Sequence, residues 1–101
     1  MNGHEYKVKS KVWLYPGMGG WHFVSVPKKE SGHIRSMFAG VARGFGSLPV
    51  TVTIGKTTWN TSIFPDSKAG TYVLAVKAEV RKKEHISLNQ TITFSFRLRG
   101  L

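Results

Sequence analysis

Lys77 and Arg81 stand four residues apart in Lys77-Ala78-Glu79-Val80-Arg81-Lys82-Lys83-Glu84, a spacing that puts both cations on one stripe of a short helix. Two cations fixed on a rigid element meet a phosphate or carboxylate with little ordering cost, and the arginine's planar fork suits either anion. Val76 and Val80 repeat the same spacing on the adjacent stripe, so they are expected to face the core and hold the cations beside its rim. Arg43 is a third candidate, because Gly44 and Gly46 around Phe45 would let a ligand approach the backbone closely. Trp21 and Trp59 are the candidate aromatic walls of such a ligand-binding site. The competing reading of the basic helix is a solvated charged face.

Other chemistry is poorly supplied. His4, His22, His33 and His85 are scattered, with none two or four residues from another, and no cysteine supplements them, so no metal site is expected. The five carboxylates, Glu5, Glu30, Asp66, Glu79 and Glu84, show no pairing suited to acid–base work. Glu79 with Lys83, and Arg81 with Glu84, read as pairs on a helix surface. A nucleophile elbow of the Gly-x-Ser-x-Gly type is missing, as is a cysteine nucleophile. Gly55-Lys56-Thr57 resembles the end of a phosphate-binding loop, but Val50 stands where that loop needs its first glycine, and Thr57-Thr58-Trp59 continues as a strand. A hairpin turn is the expectation there. The chain reads as non-enzymatic, with no cofactor.

These residues must be held by strands. Period-two alternation runs through Tyr6 to Leu14, with Tyr6, Val8, Val12 and Leu14 on one face and Lys7, Lys9 and Lys11 on the other. Trp13 falls on the lysine side, which would make a basic-aromatic stripe or simply guard an edge strand against aggregation. Tyr15 to Gly20 is a loop, Trp21 to Val26 a strand, and Lys28 to Gly40 a short helix with Ser31 as its cap and Ile34, Phe38 and Val41 at helical spacing. Leu48 to Ile54 and Thr57 to Phe64 form a hairpin about Gly55-Lys56, a turn that wants positive φ first. A turn from Pro65 to Gly70, a strand from Tyr72 to Val76, the basic helix, a turn at Ser87 to Gln90 and a strand from Thr91 to Leu98 complete the order. About six strands with short connections and one or two short helices predict a mainly β, closed or nearly closed small barrel.

Composition sets the outer limits. At 101 residues the chain has room for one domain, residues 1–101, and one modest core. Fifteen Lys+Arg against five Asp+Glu leave a net charge of +10, which favours polyanions (nucleic acid, anionic membrane surfaces or acidic proteins) or serves solubility alone. The absence of cysteine fits a reducing compartment, the first residues show no apolar signal region, and no apolar run approaches a membrane span. The expected setting is cytoplasmic, without membrane association.

Five blocks carry a family resemblance: Trp21-His22-Phe23-Val24-Ser25-Val26-Pro27, Arg43-Gly44-Phe45-Gly46-Ser47, Val50-Thr51-Val52-Thr53-Ile54-Gly55, Trp59-Asn60-Thr61-Ser62-Ile63-Phe64-Pro65, and Tyr72 through Lys82. In this order they resemble the bacterial domain-of-unknown-function family numbered 1905. The resemblance implies a small β-barrel of the double-split type and no established activity. In some bacterial proteins a similar domain is joined to a second one associated with bacteriocin protection, which is not expected in a chain ending at Leu101. The double-split fold is also used by dimeric transcription regulators of the AbrB/MazE kind. Arg81 and its spacing are similar to their motif, but the matching run Ala75-Val76-Lys77-Ala78-Glu79-Val80-Arg81 lacks its proline, and Asn89-Gln90 stands where Gly-Asp is needed. Those regulators interlock two short chains, and at roughly twice the length of one, this chain is expected to complete the barrel alone as a monomer, a homodimer being the alternative. The reading is then a barrel that binds an anionic partner, nucleic acid, through its basic surface; the alternative is a small-molecule or peptide-binding barrel with a pocket near Arg43, Lys77 and Arg81.

Overall fold

Alternating side chains become seven antiparallel strands in the computed structural model, which describes residues 5–17 and 19–100. They are β1 (Glu5–Lys11), β2 (Trp13–Leu14), β3 (His22–Ser25), β4 (Leu48–Ile54), β5 (Thr57–Asp66), β6 (Thr71–Ala75) and β7 (Thr91–Leu98). Two helices, α1 (Lys28–Phe38) and α2 (Ala78–Lys83), and two short 3-10 turns lie between them. His4, and Met18 of the expected loop, lie outside the described residues.

The strands form one sheet in the order β1-β7-β4-β5-β6-β3-β2, curled into a half-barrel. Its two edge strands, β1 and β2, are consecutive in the chain and separated only by Val12. Val12 is fully buried; its N–H donates to the Gln90 carbonyl at 2.9 Å and its carbonyl accepts from the Asn89 N–H at 2.8 Å. The chain therefore leaves β7 at Val12 and joins β3 one residue later. The strand expected over residues 6–14 is thus divided, which raises the count from about six to seven. Leu14, expected to face inward, pairs with His22 at the last register position and is 42% exposed.

Inside the curl, Val8, Val50, Val52, Leu74, Phe94 and Phe96 belong to one apolar core. Helix α1 covers it with Ile34 and Phe38, while Met37 and Val41 are exposed. Ser31 is no cap: it lies in the first turn of α1, fully buried, where its hydroxyl donates to the Val26 carbonyl (2.8 Å) and accepts from the Tyr72 N–H (2.9 Å). After α1, Phe45 sits between Gly44 and Gly46 with φ 60° and is 95% exposed.

The Gly55-Lys56 hairpin forms as expected, with Gly55 at φ 58°. Its partner is a surprise. Glu84, just past α2, accepts from the Thr57 hydroxyl at 2.6 Å and from the Lys56 N–H at 3.3 Å, instead of pairing with Arg81. Glu79 likewise pairs with Lys77 (3.6 Å) rather than Lys83. Among the described residues no helix is long and apolar enough to cross a membrane.

Candidate functional site

On the outward side of the β2-β3-β6-β5 half of the sheet, a second apolar layer has formed. Trp13, Phe23, Val73, Ala75 and Phe64 alternate with the core residues Val12, Val24, Leu74, Val76 and Ile63, so pleating turns them away from the core. Cross-strand register sets Trp13 opposite Phe23, Phe23 opposite Ala75, and Phe64 opposite Val73. Phe23 and Val73 are nevertheless buried, at 8% and 7% exposure. Rings cover them: Trp13 and Tyr15 each lie 5.4 Å from Phe23 between centroids, and Trp21 lies 6.1 Å away. The Trp13 indole donates to the Ser25 hydroxyl at 3.0 Å, and the Tyr15 N–H donates to the Trp21 carbonyl at 2.9 Å. These bonds fix two sides of the cluster.

Between this cluster and Phe64-Pro65 runs an open groove of about 960 Å³. Its far wall is the turn after β5, held by the Asp66 carboxylate, which accepts from the N–H groups of Lys68 (3.2 Å) and Ala69 (3.3 Å). Trp21, Phe64 and Tyr15 are 52%, 42% and 41% exposed, so the groove presents aromatic faces to solvent. Such an arrangement suits flat, apolar-faced ligands, stacked rather than enclosed.

A smaller cavity of about 280 Å³ adjoins it, sharing Trp21 and Ala75 and lined also by His22, Lys77 and Arg81. Arg81 is half-buried and donates from Nε to the Val76 carbonyl at 3.0 Å, which anchors the guanidinium. His22 bonds the Gly20 carbonyl through Nδ1 at 2.7 Å; since a carbonyl only accepts, Nδ1 carries the proton. The Lys77–Glu79 pair is solvent-exposed and worth little, so it holds Lys77 only weakly. The groove thus has an aromatic body and a cationic end.

Of the residues singled out from sequence, Trp21, Lys77 and Arg81 come together here. Trp59 does not: half-buried and opposite Val52, it packs against the core. Arg43 also lies outside both cavities, its side chain directed to the Gly100 carbonyl at 3.5 Å. Sequence reasoning missed Tyr15, Phe23 and Phe64. Phe23 and Phe64 were open to discovery by parity, since each alternates with an inward aliphatic neighbour.

Tyr6 bonds His33 at 2.6 Å, and burial, reinforced by the nearby Glu30 carboxylate, raises the Tyr6 phenol above its ordinary pKa. Among the described residues no three His, Asp or Glu side chains gather as a metal would require.

Residues 9–96, which include the whole groove and α2, match the model of a family described as a domain of unknown function (DUF1905). No curated protein matches the chain.

Proposed function

The chain belongs to the DUF1905 family, and from that premise we propose that it is a non-enzymatic binding module whose anionic partner is single-stranded nucleic acid. The observation that carries this reading is the groove itself: solvent-facing rings of Tyr15, Trp21 and Phe64 running into the cations Lys77 and Arg81. Aromatic faces stack on any base, at about 1–3 kcal/mol each, while cations meet the phosphates. A net charge of +10 adds attraction at long range. The half-barrel is, in this reading, a double-split barrel completed by a single chain, supported by β1 and β2 following one another at opposite edges. It acts as a cytoplasmic monomer.

A second reading, binding of a small anionic molecule or an acidic peptide, draws support from the groove volume of about 960 Å³, which lies within the usual range for ligand sites. Arg43 lines neither cavity.

Fluorescence anisotropy with mixed-sequence single-stranded DNA and RNA, titrated across salt, separates the two. Trp21→Ala is expected to weaken binding at least about fivefold through one lost stacking face. Lys77→Ala/Arg81→Ala should reduce the salt slope by about 1.4, at roughly 0.7 per phosphate contact on a single strand. Oligonucleotide binding that is lost at near-physiological salt leaves the small-ligand reading of the groove. Binding indifferent to Trp21, Lys77 and Arg81 removes the groove from consideration.

A further inference from the structure

The outward surface does not end at the groove. Val12 is buried in the core, so its neighbours Lys11 and Trp13 both turn outward, and the side of β1 that carries Lys7, Lys9 and Lys11 leads directly into the aromatic cluster at Trp13. From Lys7 to Trp13 is roughly 20 Å of extended chain, with the cations about 7 Å apart. Across the β1–β7 register, Lys7 faces Ser95, Lys9 faces Thr93 and Lys11 faces Thr91. Each lysine therefore has a hydroxyl residue beside it, one strand spacing away. All three lysines are exposed, and among the described residues none is in an ion pair. The row ends where Glu5 stands opposite Arg97, the first carboxylate on this face.

We propose that the outward face of β1 and β7 is a phosphate track that extends the groove: Lys11, Lys9 and Lys7, with Thr91, Thr93 and Ser95, carry the backbone of a single-stranded nucleic acid whose bases stack on Trp13 and Trp21. The inference rests on the nucleic-acid reading of the groove and adds a direction and a length to it. Charge complementarity selects the occupant. A line of unpaired cations flanked by a parallel row of hydroxyl donors matches a chain of regularly spaced anions, whereas a compact anion fills one position only. Lysines on an edge strand also deter strand-to-strand aggregation, a role that needs charge but no ligand.

The test compares Lys7→Gln/Lys9→Gln/Lys11→Gln with a control of equal net charge, Lys28→Gln/Lys29→Gln/Lys83→Gln, on oligothymidylates of about four and about twelve nucleotides, the span of common single-strand sites. Tryptophan quenching reads the groove and anisotropy reads total binding. For the wild type and the control, the longer oligonucleotide should bind more tightly and with a steeper salt slope. For the track variant that slope should fall by about 2, three contacts at roughly 0.7 each, with quenching by the short oligonucleotide unchanged. An unchanged slope, or an equal fall in the control, overturns the track while leaving the groove intact. Loss of monodispersity with an unchanged slope would assign the lysines to edge protection instead. If the short oligonucleotide quenches no tryptophan even in the wild type, the groove reading fails and the track fails with it.

Discussion

Gly55 shows how one residue decides whether a phosphate-like motif can hold anything. In Gly55-Lys56-Thr57 the backbone turns at φ 58°, and the Lys56 N–H and Thr57 hydroxyl close on the Glu84 carboxylate. The motif is occupied by the protein's own anion, so it serves the fold and leaves no room for a ligand. A Cβ on Gly55 would meet two penalties: the left-handed backbone, at about 1–2 kcal/mol, and direct collision with the Glu84 carboxylate. Gly55→Ala should therefore destabilise by more than about 1 kcal/mol in urea unfolding. Glu84→Ala alone should cost about 1–2 kcal/mol through the lost charge-assisted hydrogen bonds. In the double variant the collision is gone, leaving the backbone strain and the lost Glu84 hydrogen bonds, so the combined loss should be less than the sum. Additive losses would mean that the carboxylate accommodates the methyl group without giving up its hydrogen bonds.

At the scale of elements, one buried hydroxyl joins three of them. Ser31 in α1 bonds the Val26 carbonyl just after β3 and the Tyr72 N–H in β6. Ser31→Ala would leave that N–H buried without a partner, at about 1–3 kcal/mol. Hydrogen exchange should then accelerate at the Tyr72 amide more than elsewhere in β6; uniform acceleration would mean that the loss is only global. Sequence patterns disclosed the helix but not this junction, because Ser31 has the right chemistry for a cap and only tertiary packing puts it one turn inside. Strand β7 was legible to the residue, since alternation from Thr91 to Leu98 is unbroken. Strand β5 was not: Pro65 reads as a turn, yet the strand runs through it to Asp66. By then β5 has parted from β4, whose pairing ends at Ile63, so a proline there meets a ladder on one side only. Likewise, the pairing of Trp13 with Phe23 depends on where the chain leaves β7, which local pattern does not encode. Lys77 and Arg81 were found because helical spacing is local; Trp59 was misplaced although it shares the inward parity of Ile63.

For the molecule as a whole, charge links stability to function. Fifteen Lys+Arg face only five Asp+Glu, and among the described residues the single ion pair is Lys77 with Glu79. Most of the cations therefore repel one another across a small surface, which lowers the stability of the compact state. Salt screens that repulsion, so the melting temperature of the free protein should rise with ionic strength. A bound polyanion relieves the same repulsion more completely, because its phosphates sit among the cations, and it adds the stabilisation that any ligand of the folded state supplies. Salt weakens that complex through counterion uptake. The two effects have opposite signs. With an excess of a single-stranded oligonucleotide of about twelve nucleotides, the melting temperature should be highest at low salt and fall as salt is added, meeting the rising curve of the free protein at high ionic strength. Differential scanning fluorimetry with and without oligonucleotide measures both curves. Parallel curves, both rising with salt, would mean that the positive surface has no nucleic-acid partner and that its cations merely repel.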